Sequence, residues 1–141
     1  MKAYIDTSVL VACYCPEALS GKSEAAVKKL SDPAISLLVE LEFASALALK
    51  ARTGGLNRTD GQKVISLFLS HLNEGRLRVL PMEARHFMLA REWISRLDSP
   101  LRTLDALHLA LAFANSMRIL TADVGQFRVA RDLGIDCRLV G

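Results

Sequence analysis

Ala3-Tyr4-Ile5-Asp6-Thr7-Ser8-Val9-Leu10 begins with three apolar residues, stops at an acid and two hydroxyls, then turns apolar again. A short apolar run closed by Asp reads as a buried strand giving way to a turn or helix. Three further runs have the same character: Ala34-Ile35-Ser36, Leu77-Arg78-Val79-Leu80 and Arg118-Ile119-Leu120. A fifth, Cys137–Val140, lies near the end of the sequence. Longer helical segments lie between them. Val64, Ile65, Phe68 and Leu72 share one helix face near Thr59–Glu74, and Phe87, Ala90, Ile94 and Leu97 share another in Glu83–Asp98. Thr53-Gly54-Gly55 ends one helix, Asn57-Arg58-Thr59 caps the next, and Asp98-Ser99-Pro100 marks a further break. Strands alternating with helices predict an α/β fold. The expectation is a three-layer sandwich with a central parallel sheet of about five strands flanked by helices.

The 141 residues suit one domain, 1–141, with 51% hydrophobic and 23% charged residues, which excludes a disordered chain. A net charge of +3 permits nucleic-acid binding without predicting it. Cys13, Cys15 and Cys137 lack zinc-ligand spacing and read as reduced thiols in a cytoplasmic protein, with Cys13 and Cys137 packed in the core. Met1-Lys2 runs straight into the first strand, so no signal peptide is expected. The longest apolar stretches, Leu37–Leu49 and Leu104–Ala114, contain acids and fall short of the ~20 residues that span a bilayer, so no membrane is expected.

In parallel α/β sheets, sites form outside the carboxyl ends of the strands. Asp6 follows the first strand, and Asp123 follows Ile119-Leu120-Thr121-Ala122, so both point to one rim. Each can equally well cap the element after it. Asp105 lies in the first turn of a very apolar helix, where Thr103 is a plausible N-cap and the helix dipole favours an acid by ~0.3–1 kcal/mol. Leu104, Leu107, Leu109, Leu111 and Phe113 predict burial nearly all round that helix, and a buried carboxylate needs a cation or donors. Glu40 and Glu42 sit two residues apart on another helix, on roughly opposite faces, and periodicity does not choose between them. Two carboxylates ~4 Å apart repel by about 4 kcal/mol at an effective dielectric of ~20. Several acids on one rim therefore make sense as oxygen ligands for a hard cation, Mg²⁺ or Mn²⁺ rather than zinc.

At these residues the chain resembles the PIN-domain family, and within it the VapC-like toxins of toxin–antitoxin pairs. The segments concerned are Tyr4–Leu10, Glu42-Phe43-Ala44-Ser45-Ala46-Leu47, Asp105-Ala106-Leu107-His108-Leu109-Ala110 and Leu120-Thr121-Ala122-Asp123, in family order and spacing. The resemblance implies a catalytic, metal-binding quartet of Asp6, Glu42, Asp105 and Asp123, and so selects Glu42 over Glu40. It also implies a supporting hydroxyl at Thr121, more loosely at Thr7 or Ser8. An endoribonuclease using Mg²⁺ or Mn²⁺ is expected, with an RNA substrate, a small antitoxin partner and a homodimer.

Other readings fit the residues less well. A haloacid-dehalogenase-like phosphatase needs a second Asp where Ser8 stands. A metal-free ribonuclease would use two of His71, His86 and His108 as acid and base. A non-catalytic RNA- or protein-binding module would not need the quartet. Lys50, Arg52, Arg58, Lys63, Arg85, Arg91, Arg96 and Arg102 read first as solvated surface, with several able to line an RNA groove. Trp93 reads as core rather than as a stacking platform, and His108, one turn from Asp105, as orienting a carboxylate or packing.

Overall fold

The computed structural model describes residues 2–141. The elements are β1 (Lys2–Ile5), α1 (Thr7–Tyr14), α2 (Ser20–Lys28), β2 (Asp32–Ser36), α3 (Leu37–Arg52) and α4 (Arg58–Asn73). They continue as β3 (Arg78–Leu80), α5 (Ala84–Ser95), α6 (Thr103–Ala114), β4 (Arg118–Thr121), α7 (Val124–Asp132) and β5 (Cys137–Leu139). The five strands pair in parallel in the order β3-β2-β1-β4-β5. From β1 the chain steps outward to β2 and β3, then returns to the other side of β1 for β4 and β5. Right-handed crossovers in opposite directions put their helices on opposite faces. The packing agrees: α1 lies against α2 and α3, α3 against α4, and α5 against α6. This is the expected α/β sandwich, and its strand order reverses between β1 and β4, which opens a crevice at their carboxyl ends.

The apolar strand residues are covered from both sides, so Tyr4, Ile5, Ile35 and Ile119 are fully buried beside Leu109 and Leu111 of α6. Burial of each such aliphatic side chain contributes roughly 1.5–3 kcal/mol, which makes the central layer a firm base for the rim. Trp93 is core, as expected, and α5 buries it with Ala90, whereas Phe87 and Leu97, expected on the same face as Ala90, are exposed. Asn57 caps α4 by accepting from the Asp60 amide.

Local details depart from the sequence reading. Thr103 does not cap α6: Arg102 holds the cap position without a side-chain bond, and Thr103 is the first helical residue. That helix is not buried all round, because Leu104 and Phe113 are about half exposed. Apolar composition marks surface able to be buried, whereas burial requires a neighbouring element. Among the cysteines it is Cys15, at the C-cap of α1, that is buried, while Cys13 and Cys137 lie half-buried against the core. All three are free. Among the described residues no helix is long and apolar enough to cross a membrane.

Candidate active site

Two strand ends hold the centre of the rim together. The Asp6 amide donates to the Leu120 carbonyl at 2.9 Å, joining the end of β1 to that of β4. Asp6 Oδ2 accepts from the Ser8 hydroxyl at 2.6 Å, the Ser8 amide at 3.4 Å and the Thr121 hydroxyl at 3.0 Å. Ser8 Oγ in turn accepts from the Ala122 amide, and Thr121 Oγ1 from the Asp123 amide, both at 3.0 Å. Asp123 caps α7 by accepting at Oδ1 from the Gln126 amide at 3.1 Å. Both Asp6 and Asp123 are therefore helix caps, as their local sequence allowed. Each cap uses one carboxylate oxygen. Among the described residues, Asp6 Oδ1 and Asp123 Oδ2 have no hydrogen-bond donor, although Asp6 Oδ1 faces His108 Nε2 at 3.8 Å.

Glu42 approaches from α3. Its Oε1 accepts from the Thr7 hydroxyl at 2.7 Å and is hydrogen-bonded to His108 Nε2, while Oε2 has no donor among the described residues. Burial works to raise the Glu42 pKa, but the bonds from His108 and Thr7 and the proximity of the imidazole prevail and hold it below the usual range. Glu40, two positions earlier, takes no part in this network. His108 is reached from behind by Tyr4, whose hydroxyl lies 2.6 Å from Nδ1 and 2.8 Å from the Ser36 hydroxyl.

Asp105 presents the opposite case. It has no hydrogen bond or ion pair among the described residues, and its carboxyl is pushed above the usual range. Burial is the largest cause, followed by the charges of Asp6 and Asp123, with Glu42 adding to them and His108 opposing. The four acids thus share one electrostatic field. Asp105 and Asp123 line a cleft of about 340 Å³ together with Arg102, Gln126 and the Pro100-Leu101 turn. Among the described residues no three His, Cys, Asp or Glu side chains are already arranged to hold a metal ion. The donor set nevertheless suits a hard cation: four carboxylates, each with at least one oxygen free, and one of them destabilised as an anion by its neighbours.

Several participants escaped the sequence reading. Tyr4 and Ser36 look like ordinary strand residues, and nothing local announces that they converge on a histidine of α6. Gln126 is buried at 3% exposure, its amide 2.9 Å from Thr121 Oγ1. Thr121 has one proton, which the charge-assisted bond to Asp6 takes. A half-turn of the Gln126 amide that aims nitrogen at Thr121 fills the hydroxyl's remaining acceptor capacity. The other histidines are committed elsewhere: His71 Nδ1 to the Tyr14 hydroxyl at 2.5 Å, and His86 Nδ1 to the Glu83 amide at 3.0 Å in a capping box. The three imidazoles therefore serve three separate networks.

The profile of the family described as PIN domain matches residues 3–132. Similar solved structures include VapBC2 from Rickettsia felis bound to a promoter DNA fragment, with TM-score 0.71, 17% identity and 100% of both chains covered. The sarcin–ricin loop cleaving toxin VapC20 of Mycobacterium tuberculosis matches with TM-score 0.69 and 20% identity, over 90% of this chain and 94% of that one. A toxin–antitoxin complex from Klebsiella pneumoniae matches with TM-score 0.62 and 17% identity, over 89% of each chain. At these identities the likeness concerns the fold. No curated protein matches the sequence.

Proposed function

The chain belongs to the PIN-domain family, and from that premise we propose that it is an endoribonuclease dependent on Mg²⁺ or Mn²⁺, the toxin of a toxin–antitoxin pair. The observation that carries the reading is the Asp105 carboxyl, raised first by burial and then by Asp6, Asp123 and Glu42, at the switch point of a parallel sheet. A site that gathers uncompensated negative charge is built for a cation. Asp6, Glu42, Asp105 and Asp123 would hold it, with Thr121 and Ser8 fixing Asp6, Thr7 fixing Glu42 and the Gln126 amide fixing Asp123, each by bonding the carboxylate's other oxygen. A bound divalent cation supplies Lewis-acid stabilisation of the phosphate and a more acidic water.

The chain's own residues do the positioning. The Thr121 and Ser8 hydroxyls pin Asp6 Oδ2, so Oδ1 faces the rim. Arg102 in the cleft can hold a phosphate against the acids, since its guanidinium pairs with phosphate oxygens in a bidentate way. The products expected are RNA fragments with 5′-phosphate and 3′-hydroxyl ends. A small antitoxin belongs to the same proposal, supported by the toxin–antitoxin complex among the similar structures, and a homodimer and a cytoplasmic setting are proposed with it.

The deciding experiment incubates the purified chain with RNA in Mn²⁺, Mg²⁺ or EDTA and sequences the ends. Cleavage restored by either metal after EDTA, with 5′-phosphate ends, is the expected outcome. Cleavage that persists in EDTA and leaves cyclic phosphates would overturn the metal reading. Co-purification at native expression, with co-eluting chains identified by mass spectrometry, tests the antitoxin separately.

A further inference from the structure

The support of Glu42 reaches the interior of the sheet through His108, Tyr4 and Ser36. Ser36 Oγ accepts from the Val39 amide at 3.3 Å as the cap of α3 and is hydrogen-bonded to the Tyr4 hydroxyl at 2.8 Å. The Tyr4 hydroxyl is hydrogen-bonded in turn to His108 Nδ1 at 2.6 Å, and Nε2–H of His108 donates to Glu42 Oε1. Nε2 of His108 carries a proton both in the neutral Nε2–H tautomer and in the imidazolium, so either form can donate to Glu42. Tyr4, Ser36 and His108 are all essentially inaccessible to solvent, so none can exchange its partner for water. Thr7 donates to the same Oε1, so both protein donors occupy one oxygen.

We propose that His108, braced by Tyr4 and Ser36, is a positioning residue that ties down Glu42 Oε1 and leaves Oε2 as the single oxygen Glu42 offers the cation. The inference rests on the cation-site reading above. Residues behind metal ligands commonly fix the ligand's orientation, and their loss weakens metal binding by about 10–100-fold. His108 does this across the sheet, from a helix that also carries Asp105. One tertiary contact thus sets the spacing between α3 and α6, and with it the separation of Glu42 from Asp105. Tyr4 contributes by holding the ring's other nitrogen, Nδ1, which fixes the orientation of the imidazole toward the carboxylate.

The test measures Mn²⁺ affinity by electron paramagnetic resonance, alongside kcat and KM on RNA and thermal unfolding, for His108→Gln, His108→Leu, Tyr4→Phe and Asp105→Asn. His108→Leu should weaken Mn²⁺ binding by roughly 10-fold or more and lower kcat with little change in KM. His108→Gln keeps an N–H near the Nε2 position and should recover most of the affinity. Tyr4→Phe should cost a few-fold in affinity, less than His108→Leu. A role confined to packing predicts that Leu serves as well as Gln at this buried position. If His108→Leu binds Mn²⁺ like the wild type, or Gln is no better than Leu, the positioning role is overturned. Asp105→Asn separates this from failure of the premise: its loss of Mn²⁺ binding upholds the cation site whatever His108 does, and wild-type binding by Asp105→Asn would remove both.

Discussion

Glu42 and Asp105 are carboxylates of one rim, carried by two helices on opposite sides of the sheet, yet their electrostatics run in opposite directions. Glu42 has donors from Thr7 and His108 and is held below its ordinary pKa. Asp105 has none and is pushed above its ordinary value by burial and by three like charges. The difference comes from partners rather than from residue type or from exposure, since both are half-buried. It divides the site into a braced half, whose geometry is set before any ligand arrives, and an unbraced half, which holds the uncompensated charge. A cation acts on the two differently: it relieves repulsion at Asp105 and meets a pre-oriented oxygen at Glu42.

The largest expected effect is on Asp105. Asp105→Asn should lower RNA cleavage by at least ~100-fold, the scale on which loss of a group that stabilises transition-state charge is felt. The same change should leave the metal-free protein as stable as the wild type or more so, because it removes a carboxylate that its neighbours disfavour. Cleavage assays and thermal unfolding in EDTA check the two halves of this prediction. A variant that cleaves like wild type would break the comparison.

Next in size is the pair on α3. Glu42→Gln should reduce cleavage far more than Glu40→Gln, by ~10-fold or more against little change, since only Glu42 reaches the rim. Equal effects in side-by-side assays would show that the braced half is not part of the site. His108→Leu should in addition destabilise the fold by about 3 kcal/mol, as the buried Tyr4 hydroxyl and Glu42 each lose a partner, read by denaturant unfolding.

The smallest effect is a pH dependence with opposite signs at the two acids. For Asp105 the folded-state pKa lies above the unfolded one, so ionising it opposes folding. That penalty is present above the raised folded value and fades as pH falls toward the ordinary carboxylate value near ~3.9. The stability gained by Asp105→Asn in EDTA should therefore shrink on acidification. For Glu42 the folded pKa lies below the unfolded one, so its contribution is present above the ordinary value near ~4.3 and is lost as pH falls through the folded value. The deficit of Glu42→Gln should shrink over that lower window. Unfolding of the three proteins across pH 3–7 in EDTA reads both trends.

The short apolar runs determined the three inner strands, β1, β2 and β4, by themselves, because a strand covered on both faces in a parallel sheet admits almost no other composition. Asn57 determined its own helix start for a similarly local reason: a side-chain oxygen needs only the amide three residues on. The acids at Asp6 and Asp123 were legible because the carboxyl end of a parallel strand is a place that sequence order alone locates. Register within the family, rather than chemistry, picked Glu42 over Glu40. Tertiary structure decided the rest. It put Tyr4 and Ser36 behind His108, 104 and 72 positions away in sequence, and turned His108 toward Glu42 rather than toward Asp105 one turn away. It also left Leu104 and Phe113 exposed on a helix whose composition implied full burial. Periodicity states which face of an element is apolar and which residue types can bond. Which partner arrives at that face is set by how the helices cross the sheet, and only the folded chain specifies that.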